Sequence, residues 1–208
     1  STGRILRTHV THTDIPLFPL HTVLFPDGYL NLRIFEQRYI DMVRECSLKA
    51  SCFGVCLINN PEDPNRPANH MRVGTTAEIC DFSTLEDGLL GISAHGRQKF
   101  IIQNTRMRDN GLLMAEVQTL DEPGPVDLPD EFSVLSMIVG RFMEQLGNNY
   151  PSFQPQYLQD ANWVAFRLAE LLPLANDEKQ VLLQIGDPLE RLQILLEVLP
   201  RFQEPADT

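Results

Sequence analysis

The sequence predicts an α+β protein in two parts, a β-rich front half carrying one or two helices and an all-helical back half. Three observations carry this reading. Short apolar runs and period-two alternation recur from residue 15 to residue 120, as half-buried strands require. The stretch 121–129 (DEPGPVDLP) holds three prolines and a glycine, which break any regular element. Beyond it the apolar spacing becomes three-four, the period of a helix.

Along the front half, residues 15–25 (IPLFPLHTVLF) are apolar and β-branched or aromatic. Pro16 and Pro19 forbid a helix interior and suit an edge strand. Pro26-Asp27-Gly28 signals a turn, and residues 29–34 (YLNLRI) alternate as a half-buried strand does. From Phe35 the period changes: Tyr39, Met42 or Val43, and Cys46 mark an amphipathic helix. Residues 53–58 (FGVCLI) read as a buried strand and 59–69 as a solvated loop. Further strands are expected at 73–80, 88–93, 99–104 and 112–120, with Asp87-Gly88 and Asn110-Gly111 as hairpin turns.

In the back half, Phe132, Leu135, Val139, Phe142 and Leu146 share one helix face. Trp163 or Val164, Leu168, Leu171 and Leu172 share another. A short third helix is expected over 177–185 with Asn176 as its cap. Asp187-Pro188-Leu189-Glu190 opens a fourth with an N-cap, a first-turn proline and a capping glutamate. Leu189, Leu192, Leu195 or Leu196, and Leu199 form its expected buried face. The resulting organisation is a flexible start (1–13), a β-domain (14–122), a linker (123–130), a helical part (131–202) and a flexible end (203–208).

The 208 residues are 43% hydrophobic and 22% charged, enough apolar content to fold. No apolar run approaches the roughly 18–20 residues that cross a bilayer. Residues 1–12 lack a secretory signal, and Cys46, Cys52, Cys56 and Cys80 sit among apolar neighbours. Free thiols in the cytoplasm are therefore expected. The net charge is −11: residues 1–125 contribute −3 and residues 126–208 contribute −8. Such a balance disfavours polyphosphate backbones and anionic membranes.

Two patterns resemble chemistry without meeting its requirements. Gly91-Ile-Ser93-Ala-His95-Gly96 places its second glycine one residue late for a nucleophile elbow, and a strand follows it, not a helix. Cys52 and Cys56, with Cys46, Cys80 or His70, could be imagined as a zinc set, but their strand context favours core packing. His12 and His21 are expected at the surface.

The ordered series 15–20 (IPLFPL), 23–26 (VLFP), 32–36 (LRIFE) and Arg38-Tyr39 resembles the N-terminal substrate-binding domain of the ATP-dependent Lon proteases, the LON domain. Residues 53–55 (FGV), 73–75 (VGT), 77–79 (AEI) and 115–117 (AEV) continue it. Trp163, 171–173 (LLP) and 190–192 (ERL) are similar to the helices that follow in that family. Asp27 stands where the family places glycine, and Asn31 and Gln37 where it often has proline.

The resemblance implies a PUA-like pseudo-barrel β-domain followed by a helical bundle. It also implies a non-catalytic module that binds exposed or extended protein segments in the service of proteolysis or quality control. The sequence lacks the Gly-Lys pair that an ATPase phosphate loop needs, and its length points to a free-standing module without the ATPase or the Ser-Lys peptidase. No enzyme activity, cofactor, metal or catalytic residue is expected.

Unfolded or flexible protein segments are the expected partners. A protease or ATPase partner, self-association through the leucine-rich helices, a scaffold role and RNA binding by a PUA-like surface stay open as alternatives. Phe18, Phe25, Tyr29, Phe35 and Tyr39 are the expected lining of the binding surface, in a cleft between barrel and bundle. Arg33, Glu36 and Arg38 are expected to lock the strand-to-helix corner, with Arg33 or Arg38 paired to Glu36 because charges in an apolar corner need partners.

Overall fold

A computed structural model describes residues 11–59, 70–122 and 124–203. The expected loop lies outside these residues except for Asn59, as do most of both expected flexible ends. Contacts divide the chain into two compact units, Ser1–Glu122 and Pro123–Thr208.

The first unit contains β1 (Thr11–Leu20), β2 (Tyr29–Ile34), α1 (Gln37–Lys49), β3 (Phe53–Ile58), β4 (His70–Thr84), β5 (Leu90–Met107) and β6 (Leu113–Leu120). The strands form one six-stranded sheet in the order β2-β5-β4-β3-β1-β6, curled by an additional β5–β6 pairing. The β5–β6 pairing joins β5, β4, β3, β1 and β6 in a ring, with β2 attached to β5; the result is a curled mixed sheet, not a clear barrel.

Tyr29–Ile34 and Phe53–Ile58 match their expected spans. The segment expected to be an edge strand does not. Residues 11–16 pair antiparallel with β6, and residues 17–20 pair parallel with β3, so β1 lies between them in the sheet. These pairings ladder each half of β1 on one side, the circumstance in which Pro16 and Pro19 are tolerated. The pairing of Thr11 with Thr119 also draws β1 into residues expected to be loose.

The two strands expected at 88–93 and 99–104 are a single strand, β5, of 18 residues. Gly96 lies inside it. A Cβ there would lie 2.4 Å from the Phe25 carbonyl oxygen, so glycine serves a close approach, not a turn. The Gly96 N–H donates to Gly28 O at 2.7 Å, and its carbonyl accepts from Asp27 N at 2.9 Å. The true turns carry Gly88 at φ 80 and Gly111 at φ 85, as their Asp-Gly and Asn-Gly dipeptides require.

Helix α1 lays Met42, Val43 and Cys46 against Phe18, Ile34, Phe53 and Val55 in the main core cluster. A second cluster gathers Ile15, Leu17, Cys56, Phe100 and Val117. Alternation along the strands explains the division, since neighbouring residues face opposite sides.

The second unit contains α2 (Ser133–Leu146), α3 (Ala161–Leu171), α4 (Asn176–Gln184) and α5 (Pro188–Val198). Helix α3 packs against α2, α4 and α5 and is buried from Ala161 through Ala169. Arg167, fully buried in α3, pairs with Glu170 at 3.3 Å, and Arg191, fully buried in α5, donates its Nε to Leu182 O at 2.7 Å. Asp187 caps α5, accepting from Leu189 N at 2.9 Å, as expected. Leu189 itself is exposed, while Leu192 and Leu195 carry the buried face. Helix α4 starts at Asn176, one residue before its expected start, with Ala175 in the cap position. The expected linker is tied down at its second half: Asp127 bridges Asp160, and Ala161 N donates to Val126 O at 2.8 Å.

Candidate binding site at the β1–β2–α1 corner

Residues 18–21 and 32–36, with Arg38, Tyr39 and Ile58, surround a pocket of about 440 Å³ within the first unit. The local sequence explains its shape. Ile34 ends β2 fully buried, and Glu36 is extended (φ −80, ψ 135) before α1 begins at Gln37. Phe35, caught between the two, is turned outward and is 66% exposed.

Tyr39, from the first turn of α1, stacks on Phe18 with ring centroids 4.1 Å apart and planes at 7°. Phe18 in turn tilts against Phe53 at 6.2 Å. The Arg38 guanidinium lies 4.8 Å from the Tyr39 ring centroid. Burial pushes the Tyr39 phenol above its ordinary range, with Arg38 opposing. The Arg38 Nε donates to Glu36 Oε2 at 2.9 Å and its Nη1 to Gly111 O at 3.0 Å, which ties the corner to the β5–β6 turn.

Of the expected lining residues, Phe18, Phe35 and Tyr39 meet at the pocket. Phe25 is 1% exposed and Tyr29 stacks on His95 at 4.4 Å, and neither lines this pocket. Of the expected corner charges, Arg38 pairs with Glu36. Arg33 does not: it pairs with Asp87 in the β4–β5 turn. The corner is open to water, so Arg33 needs no local partner and reaches across the sheet edge instead. Pro19, Leu20, His21, Leu32, Ile34 and Ile58 complete the pocket without having been singled out. The alternation of β2 placed Leu32 and Ile34 on one face; nothing local announced which end of β1 would adjoin them.

A larger cavity of about 630 Å³ adjoins the C-terminal turn of α1, among Asp14, Glu45, Lys49, Arg97 and Arg108. Its charges satisfy one another. Arg108 reaches Glu45 at 2.7 Å, Lys49 reaches it at 3.1 Å, and Arg97 reaches Glu78 at 2.6 Å. These contacts hold the Glu45 carboxyl down at about 2, the Arg108 hydrogen bond foremost. Such a cavity presents little uncompensated charge to a ligand.

Ser93 lies within β5 and donates to Asn31 Oδ1 at 2.8 Å. Of the cysteines, Cys46 and Cys56 are buried, Cys52 is half-buried and Cys80, expected among apolar neighbours, is exposed. Burial pushes the Cys56 thiol up to about 12, which keeps it protonated. Among the described residues no group of three or more His, Cys, Asp or Glu side chains is arranged to hold a metal. Among them, too, no helix is long and apolar enough to cross a membrane.

The model of the ATP-dependent protease La (LON) substrate-binding domain matches residues 14–201. The chain belongs to this family. The Lon protease of Endomicrobium trichonymphae is 24% identical to this LON chain over 193 residues, covering 89% of the chain and 24% of that protein. Protein cereblon of Danio rerio is 31% identical over 140 residues, 65% of the chain and 31% of that protein. The LON chain thus spans about a quarter to a third of the length of these curated relatives. The crystal structure of a Lon N-terminal domain protein from Xanthomonas campestris superposes with a TM-score of 0.73 at 38% identity, covering 89% of this chain and 98% of that one. The N-terminal domain of a Mycobacterium avium complex Lon protease gives 0.62 at 16% identity, a likeness of fold, covering 92% of this chain and all of that one.

Proposed function

We propose that this LON-family chain captures exposed or extended segments of other proteins at the β1–β2–α1 corner and performs no chemistry on them. The observation that carries the reading is the pocket itself. Its walls of Phe18, Leu20, Leu32, Ile34 and Tyr39 are apolar, its volume of about 440 Å³ admits one or two large side chains, and Phe35 stands at its mouth. Membership of the substrate-binding family supports the same reading, and the resemblance to Lon proteases supports a role beside proteolysis or protein quality control. Its four cysteines, all free, suit a cytoplasmic setting.

Fluorescence anisotropy with an unfolded client such as reduced, carboxymethylated lactalbumin tests this. Binding is expected, weakened about tenfold or more by Phe35→Asp, which changes a mostly exposed side chain and leaves stability within about 1 kcal/mol of the parent. Absence of binding to any unfolded chain at physiological salt sinks the reading.

A further inference from the structure

We infer that the pocket takes its segment by strand addition: an extended client stretch, apolar at alternate positions and acidic between them, pairs with the outer edge of β2. This rests on the reading of the corner as a segment-binding site and adds the mode of capture and the chemistry of the client.

Among the described residues strand β2 ends the sheet order, and its ladder runs along β5 from Tyr29 opposite His95 to Ile34 opposite Leu90. In an antiparallel pair, alternate residues direct N–H and C=O to opposite sides. Half of the β2 main chain therefore points away from β5. The pocket lies on that side, as its lining shows. Neighbouring residues of a strand face opposite surfaces, so a pocket on one surface would collect every second residue. This one collects Leu32, Arg33 and Ile34 together and continues into Phe35 and Glu36, which places it at the C-terminal end of the β2 edge.

The β1 wall of the pocket is a poorer template. Pro19 has no N–H, and a proline is accommodated in a ladder where its nitrogen points away from the partner strand, here β3. That side of β1 offers a carbonyl without the accompanying donor. Strand β2 (YLNLRI) has no proline, glycine or lysine, the residues that usually blunt an exposed edge.

The side chains specify the client. Leu30, Leu32 and Ile34 pack against the main core cluster, so an added strand extends that apolar layer at alternate positions. On the other surface Arg33 is 60% exposed, paired with the partly exposed Asp87. An exposed pair of this kind is weak, and an acidic residue on the incoming strand can replace Asp87 as the cross-strand partner of Arg33.

The test uses the full chain and a fluorescent hexapeptide, Val-Glu-Val-Glu-Phe-Thr, with two forms N-methylated at its odd or even amides. Only one set of amides can face β2. One methylated form should therefore bind about tenfold or more weakly, and the other within about threefold of the parent. Arg33→Glu should reverse the preference between this peptide and its Lys-for-Glu counterpart. Equal binding of parent and both methylated forms overturns strand addition and leaves segment capture standing, as does binding of unfolded lactalbumin without binding of the peptide. Failure of both ligands overturns capture as well. A chain that sediments as a dimer, and loses that state on Asn31→Pro, places a second copy on the edge and also overturns the inference.

Discussion

Ala50 closes α1 in the left-handed region at φ 50, its own N–H and that of Ser51 both directed at Cys46 O. Glycine is the usual occupant of that position because it has no Cβ to clash. Ala50→Gly is therefore expected to stabilise the protein by about 1 kcal/mol, read as a shifted denaturant midpoint at unchanged slope. Asp27 is the parallel case, at φ 62 where the family resemblance had led us to expect glycine. Glu45 carries the clearest pH dependence. Its folded value, about 2, lies below the ordinary 4.5, so its contribution is complete above pH 4.5 and fades as the pH falls towards 2. The group is largely solvated, which limits the effect to roughly 1 kcal/mol or less. Glu45→Gln should flatten the stability profile across that window, and an unchanged acid limb would refute the assignment.

At the scale of elements, Asp187→Ala is expected to cost about 1 kcal/mol, because it removes the bond to Leu189 N at the start of α5. Equilibrium unfolding followed at 222 nm would measure it. This cap was legible in the sequence because all of its parts are local. So were β2 and β3, bounded by turn chemistry and alternation. What escaped were features set by distant partners. The continuity of β5 depends on Gly96 meeting Phe25 and Gly28, and the place of β1 inside the sheet depends on two different strands claiming its halves. The pocket was legible to the extent that aromatic residues cluster near the corner. The sequence could not separate Phe18 and Tyr39, which meet there, from Phe25 and Tyr29, which turn to the core and to His95. Of the two arginines expected beside Glu36, the sequence could not separate Arg38, which pairs with it, from Arg33, whose partner Asp87 is distant in sequence.

For the molecule as a whole, each unit has a core of its own, Phe18, Ile34 and Phe53 among the residues of one, Leu135, Leu168 and Leu192 among those of the other. Residues 1–122 expressed alone should therefore fold, with a cooperative thermal transition and the pocket intact. A fragment that stays unfolded would show that the first unit draws stability from beyond Glu122. The charge is also unequally held, at −3 for residues 1–125 and −8 for residues 126–208.

Strand β5 is shared by three neighbours: β2 along residues 90–95, β4 along residues 90–101 and β6 along residues 99–107. A rib common to three ladders cannot come loose from one without disturbing the others. Deuterium should consequently enter the central amides of β4, β5 and β6 at nearly one rate, in a single opening event, and β2 inherits the stiffness of that rib.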